Sequence, residues 1–252
     1  MTAALELVGL RVDFGGAPVV SGVSLSVERG ECVAIVGESG AGKTLTARAL
    51  LGLAPQGAHV AFDRLVVDGT DAARLGERGW RALRGARIGL VSQDALVSLD
   101  PLQRVGSEIA EPLRLHGLAT GRAALREKVQ DLLHRVWMPD AARRARQYPH
   151  QLSGGLRQRA LIASAIAAEP AVLVADEPTT ALDATVQARI LGLLRDIADA
   201  GTAIVFISHD FAAVRRIADR VLVMRNGIVV ESGPVDEAVS YTHLTLPTIY
   251  SV

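Results

Sequence analysis

The sequence predicts an α/β fold: a mostly parallel sheet with an antiparallel β edge from its N-terminal strands and a helical subdomain inserted over about residues 94–168. Three observations predict it. Short, almost wholly apolar runs at 31–36, 171–175 and 203–208 have the length and composition of strands buried on both faces, as parallel strands are. Helical patterns separate these runs, and strands that alternate with helices build parallel sheets. Between 94 and 168 the pattern turns helical throughout, which marks an insertion.

Taken in order, Leu5–Phe14 and Val19–Val27 alternate apolar with polar residues around Gly15-Gly16-Ala17-Pro18, predicting two strands joined by a turn. Phe14 is a candidate to stack on a base through its π-face; the ordinary reading of such a residue is a core aromatic. The run Glu31–Val36 enters a glycine-rich stretch, and Leu45–Leu53 follows as a helix. Gly57–Gly69 predicts a strand pair ending in the Asp68-Gly69 turn, and Thr70–Arg84 a polar helix. Ile88–Ser92 is a short strand that delivers Gln93. Within the insertion, Leu125, Val129, Leu132, Leu133 and Val136 share one face of a helix over 122–136, stopped by Pro139. After the strand at 171–175 come Asp176 and Glu177. Val186, Ile190, Leu193, Leu194 and Ile197 then mark an amphipathic helix closed by Gly201. The strand at 203–208 ends at His209, and Arg225-Asn226-Gly227 is a hairpin signal between Val221–Met224 and Ile228–Glu231.

The 252 residues are 49% apolar, enough for a large core, and 27 basic side chains balance 27 acidic ones. No overall field therefore attracts nucleic acid or an anionic membrane, and no nucleic-acid partner is expected. The single cysteine, Cys32, excludes an internal disulfide and any cysteine-ligated zinc or iron–sulfur site; in its apolar run it reads as a buried thiol, which suits a reducing cytosol. The N-terminus lacks the pattern of a secretion signal. The most apolar region, 160–175, is broken by Glu169-Pro170 and stays short of the roughly 18 apolar residues of a membrane span. Work at a membrane would be done from the side.

The chemistry begins at Gly37-Glu38-Ser39-Gly40-Ala41-Gly42-Lys43-Thr44, which fills every fixed position of G-x-x-x-x-G-K-[ST]. Its glycines let backbone N–H groups approach phosphate oxygens, Lys43 reaches the β- and γ-phosphates, and the Thr44 hydroxyl can ligate Mg²⁺. A chance glycine-rich turn would lack the strand before it and the helix after it. At Asp176-Glu177, an apolar strand ends in an acid, as where a P-loop protein holds Mg²⁺. Asp176 is then the metal partner of Thr44, and Glu177 is placed to polarise a water for in-line attack. In Leu152-Ser153-Gly154-Gly155-Leu156-Arg157-Gln158-Arg159, a serine caps a helix behind two glycines. Free N–H groups and the helix dipole make it a second phosphate site, or an ordinary N-cap.

In this order the residues resemble the ATP-binding subunit of ABC transporters over about residues 5–239. The parts are a Walker A loop (Gly37–Thr44), a Q-loop (Gln93), the signature Leu152–Gln158, a Walker B ending in Asp176-Glu177, a D-loop Ala181-Leu182-Asp183 and a switch histidine, His209. The resemblance implies a P-loop NTPase core, ATP and Mg²⁺, and a head-to-tail dimer in which each ATP lies between one subunit's Walker motifs and Ser153-Gly154-Gly155 of the other. It implies that Gln93 senses Mg²⁺ and the attacking water and connects to membrane subunits, that Asp183 links the two sites, and that His209 holds the γ-phosphate and positions Glu177. His59, His116, His134, His150 and His243 have no clustered ligand spacing and read as surface or structural. The stretches 93–101 and 176–187 resemble further the dipeptide, oligopeptide and nickel importer branch, which implies import through separate permease subunits at the cytoplasmic face of the membrane. A soluble ABC-type ATPase acting on ribosome or DNA, and half of a tandem-cassette importer ATPase, stand as alternatives. Ser92 stands where that branch often has phenylalanine, and Ala95 where it has proline. The segment 240–252 departs from the family pattern and resembles a truncated or artificially joined end.

Overall fold

The computed structural model describes residues 3–93, 98–180 and 182–238. The expectations placed on Asp94–Val97 with the Ala95 departure, on Ala181 and on the segment 240–252 lie outside these residues.

The strands β1 (Leu5–Phe14) and β2 (Ala17–Val27) pair antiparallel and join β4 (Ala58–Ala61), β5 (Arg64–Val67) and β6 (Thr70–Asp71) in a five-stranded sheet. A six-stranded sheet lies beneath it, made of β3 (Cys32–Gly37), β7 (Ile88–Val91), β8 (Val172–Asp176), β9 (Ala203–Ile207), β10 (Arg220–Arg225) and β11 (Ile228–Pro234). Its order is β11-β10-β3-β9-β8-β7, and every pair is parallel except the β10–β11 hairpin. Asn226 and Gly227 form that hairpin's tip at φ 51° and 80°, the two positive values a type I′ turn requires.

Alternation along each parallel strand divides the core. Cys32, Ala34 and Val36 face one way with Leu173, Ala175, Ile204 and Phe206. Val33, Ile35, Val174, Val205 and Ile207 face the antiparallel sheet and the helix α1 (Lys43–Leu50). Both faces are thus covered, which is why these strands read as unbroken apolar runs.

The helix α2 (Glu77–Leu83) packs Trp80 and Leu83 under the antiparallel sheet. The polar helix expected over 70–84 therefore begins only at Glu77. Thr70 and Asp71 instead add a short strand, which the Asp68-Gly69 turn, with φ 46° and 76°, folds back on β5. The helix expected over 45–53 starts earlier and stops at Leu50, with Leu51 as its C-cap and Gly52 at φ 62°.

Between β7 and β8 lie α3 (Val105–Leu115), α4 (Arg122–Arg135), the short α5 (Ala141–Arg144) and α6 (Gly154–Ala165). Val129, Leu132 and Leu133 of α4 are buried as their spacing predicts, in the same apolar cluster as the helical face of the parallel sheet. Helices α7 (Ala184–Asp199) and α8 (Phe211–Ile217) cover that face. The short α9 (Val235–Ala238) follows β11. Among the described residues no helix is long and apolar enough to cross a membrane.

Candidate nucleotide site

Both predicted Walker motifs stand where a parallel strand reaches its carboxyl end, where α/β sheets place their ligands, and Lys43 and Thr44 open the helix that follows β3. β3 ends at Gly37, β8 at Asp176, and β9 is followed by Ser208 and His209; β7 is followed by Ser92 and Gln93. Since β3, β9 and β8 are adjacent and β7 follows β8, the sheet order alone gathers these ends into one row.

At Gly37 a Cβ would stand 2.2 Å from the Met224 carbonyl oxygen on β10, so the strand can turn into the loop only without a side chain. Gly42 sits at φ 97° as the N-cap of α1. The hairpin tip braces the loop from the other side: Gly227 donates its N–H to Ala41 O at 3.2 Å, and Ser21 donates to Gly227 O at 2.8 Å. The first N–H groups of α1 have no intrahelical acceptor, as at any helix start, and the helix dipole adds a positive field there. Lys43, 8% exposed, folds over the loop and donates from Nζ to Gly37 O (2.8 Å) and Glu38 O (2.9 Å).

The acids lie close by. Thr44 Oγ1 donates to Asp176 Oδ1 at 3.2 Å. Burial pushes the Asp176 carboxyl above its ordinary range, against the pull of the Thr44 hydroxyl, with Glu177 repelling its charge and Arg48 and Lys43 favouring it. Glu177 holds φ 51°, a left-handed backbone rare for glutamate, fixed by its N–H to Ile207 O at 2.9 Å. Both its carboxylate oxygens are engaged: His209 Nδ1 donates to Oε1 (2.8 Å) and Thr180 Oγ1 to Oε2 (3.0 Å).

A cleft of about 670 Å³ opens over these groups. It is lined by Gly37, Glu38, Ser39, Gly40, Gly42, Lys43 and Thr44 together with Gln93, Glu177 and His209. Val19, Leu45 and Arg48 also line it. Sequence reasoning missed these, although Arg48 stands one helical turn after Thr44, and that spacing is the signal that finds it. Ala41 is buried and not among the lining residues; its N–H donates to Glu38 O at 3.2 Å. Phe14, at the end of β1 and 37% exposed, is not among the lining residues.

Ser153, Gly154, Gly155 and Asp183 are not among them either. Ser153 occupies the N-cap position of α6, but its hydroxyl caps nothing and, like Gly154, it is exposed. Asp183 caps α7 by accepting from Val186 N at 2.9 Å. One chain thus carries a cradle with its acids and, apart from it, an uncapped helix start.

Thr44 and Asp176 offer a hydroxyl and a carboxylate to one point, two hard oxygen donors such as Mg²⁺ takes while keeping water and substrate oxygens as its other ligands. This donor set fits the ion. Among the described residues no group of three or more His, Cys, Asp and Glu forms a separate metal site. His116 bonds Arg84 O at 3.1 Å and His150 stacks on Tyr148, both structural roles. Burial pushes the Cys32 thiol up, as expected of an inert core cysteine.

Residues 20–180 match the family model described as ABC transporter. The chain belongs to the ABC transporter family. This ABC chain is 42% identical over 238 residues to the dipeptide transport ATP-binding protein DppD of Lactococcus lactis subsp. cremoris, covering 92% of itself and 68% of that protein. It is 42% identical over 243 residues to the oligopeptide transport ATP-binding protein OppD of Bacillus subtilis, covering 94% of itself and 68% of OppD. Its fold is the ABC ATPase fold. It superposes on the ATP-binding cassette MJ0796, solved as a dimer in a post-hydrolysis state with ADP and Pi, at a TM-score of 0.80 and 26% identity, over 92% of this chain and 98% of that one.

Proposed function

We propose that this chain hydrolyses ATP as the energy-coupling subunit of a peptide importer, at the cytoplasmic face of a membrane spanned by separate permease subunits. One observation carries the hydrolytic part. The phosphate-binding loop, Thr44 and the Glu177–His209 pair line one cleft, with the buried Asp176 bonded to Thr44 beside it, at the ends of three neighbouring strands. The peptide part is supported by the names of its relatives, DppD and OppD.

In this reading the loop N–H groups and Lys43 hold the β- and γ-phosphates, and Lys43 exchanges the carbonyls of Gly37 and Glu38 for phosphate oxygens. Thr44, Asp176 and Gln93 would hold Mg²⁺, which would neutralise charge on the phosphates. Glu177 takes the proton of the attacking water, and His209 fixes the glutamate in place. Phe14 stacks on the adenine. The site is completed by a second ATP-binding subunit set head-to-tail, whose Ser153-Gly154-Gly155 closes over the γ-phosphate; the exposed, uncapped Ser153 supports this. Asp183 of each chain meets the partner across that interface.

Glu177→Gln tests the chemistry. Steady-state hydrolysis should fall by about 10²–10⁴, the usual contribution of a positioned base, while ATP binding persists and the ATP-bound pair is trapped. Hydrolysis near the wild-type rate would remove Glu177 as base. Co-purification from membranes with permease subunits tests the transport reading; ATP-dependent co-sedimentation with ribosomes or DNA instead would replace it.

A further inference from the structure

The first turn of α7 touches both halves of the proposed machinery. On one side Val186 packs against the start of α6: a Cβ on Gly155 would stand only 2.9 Å from Val186 Cγ1, so the two helix ends are in close contact. On the other side Gln187, the next residue, donates from Nε2 to Asp210 Oδ2 at 2.7 Å. Asp210 follows His209 directly and is itself fixed. Its Oδ1 caps α8 by accepting from Ala212 N (2.9 Å) and Ala213 N (3.3 Å), and its N–H donates to Ser208 Oγ (3.0 Å). His209 is thus held between two residues that cannot turn freely, with its Nδ1 on Glu177.

We infer that Gln187 is a positioning residue for His209, and that the Val186-Gln187 turn makes the placement of His209 and Glu177 depend on the placement of Ser153-Gly154-Gly155. The inference rests on the head-to-tail reading above. In such a pair, the signature end of a chain serves one site and His209 of the same chain serves the other. Movement of α6 onto a partner's nucleotide displaces Val186, and Gln187 carries that displacement to Asp210 and His209. The link is a single strong bond: an amide donor on a carboxylate, half-buried, between residues 23 apart in sequence. A displacement at one site therefore alters the base geometry at the other, which is a coupling between sites and makes hydrolysis cooperative in ATP.

The test uses the purified full chain with ATP and Mg²⁺ and reads kcat, KM and the Hill coefficient for hydrolysis. Gln187→Leu, which keeps the bulk and removes the donor, should lower kcat about tenfold, leave KM within about twofold and bring the Hill coefficient toward 1. Gln187→Glu sets two carboxylates against each other and should do at least as much damage. Pairing it with Asp210→Asn rebuilds the bond in reverse: the introduced amide donates from its Nδ2 and keeps its Oδ1 to cap α8, so both kcat and cooperativity should return. Unchanged kcat and cooperativity in Gln187→Leu would overturn the inference, as would a double variant no better than Gln187→Glu alone. A parallel His209→Ala separates the two readings: if it hydrolyses ATP normally the histidine's proposed role fails, whereas if it is dead while Gln187→Leu is unaffected only the strut fails.

Discussion

Replacing Gly37 with alanine tests whether the end of β3 can enter the phosphate loop with any side chain at all. The new Cβ would lie 2.2 Å from the Met224 carbonyl oxygen and 3.1 Å from its carbon. A carbon and an oxygen settle no closer than about 3.3 Å, so roughly 1 Å of backbone movement is needed. Neither side gives easily, because Gly37 and Met224 are partners in the parallel β3–β10 ladder. Overpacking of this kind costs about 1–3 kcal/mol and a backbone-on-backbone clash belongs at the top of that range, about 3 kcal/mol. For a chain of this length each kcal/mol moves Tm by about 2–4 °C, so Gly37→Ala should melt about 6–12 °C below wild type in a nucleotide-free calorimetric scan. Gly40→Ala is the control: its φ is 83°, but nothing lies within 4 Å of its Cβ, so it bears only about 1 kcal/mol of backbone strain. The two variants should separate clearly. A Gly37→Ala protein melting as high as Gly40→Ala would refute the clash and the packing of loop on hairpin with it.

Two further outcomes follow from the site. Asp176→Asn removes a carboxylate that burial makes reluctant to ionise. Because its folded-state pKa is raised, the folded chain binds the proton more tightly than the unfolded one, so this group's contribution falls as pH rises through the raised value and stays low above it. The nucleotide-free Asp176→Asn chain should therefore melt above wild type at neutral pH, and the order should reverse with Mg²⁺ and ATP; a lower nucleotide-free Tm would contradict the burial argument. Phe14→Ala should weaken ATP binding by about 1–3 kcal/mol, the usual contribution of a base–aromatic stack, while Phe14→Tyr should not. Unchanged ATP affinity in Phe14→Ala would deny the residue that role.

Much of the fold was legible because the parallel strands are buried on both faces. Cys32–Val36, Val172–Ala175 and Ala203–Ile207 have no solvent side to interrupt the apolar run, and an acid, histidine or glycine where it stops marks the sheet edge that holds the site. Glycine and asparagine at positive φ gave the β10–β11 turn for the same local reason. The polar helix over 70–84 misled because Thr70-Asp71 belongs to a strand whose partner, β5, is supplied by tertiary pairing rather than by its own propensity. The site was legible only as a set of types. Nothing in the motif spacing states that Thr180 takes the second oxygen of Glu177, a bond made within one turn, or that Gln187 reaches Asp210, a bond set by where the starts of α7 and α8 meet in space. The same limit explains Val19, which enters the cleft because the hairpin tip at Gly227 presses against the start of β2: a Cβ there would stand 2.1 Å from Val19 O.

In the proposed pair, the cradle of one chain is only part of a hydrolytic site, since Ser153-Gly154-Gly155 are not among the residues lining its cleft. Serial dilution of the purified chain, with ATP binding and ATP hydrolysis measured at each concentration, tests it most directly. Dilute monomer should still bind ATP while hydrolysis per chain falls toward zero. Dilute monomer that hydrolyses ATP at an undiminished rate per chain would contradict it.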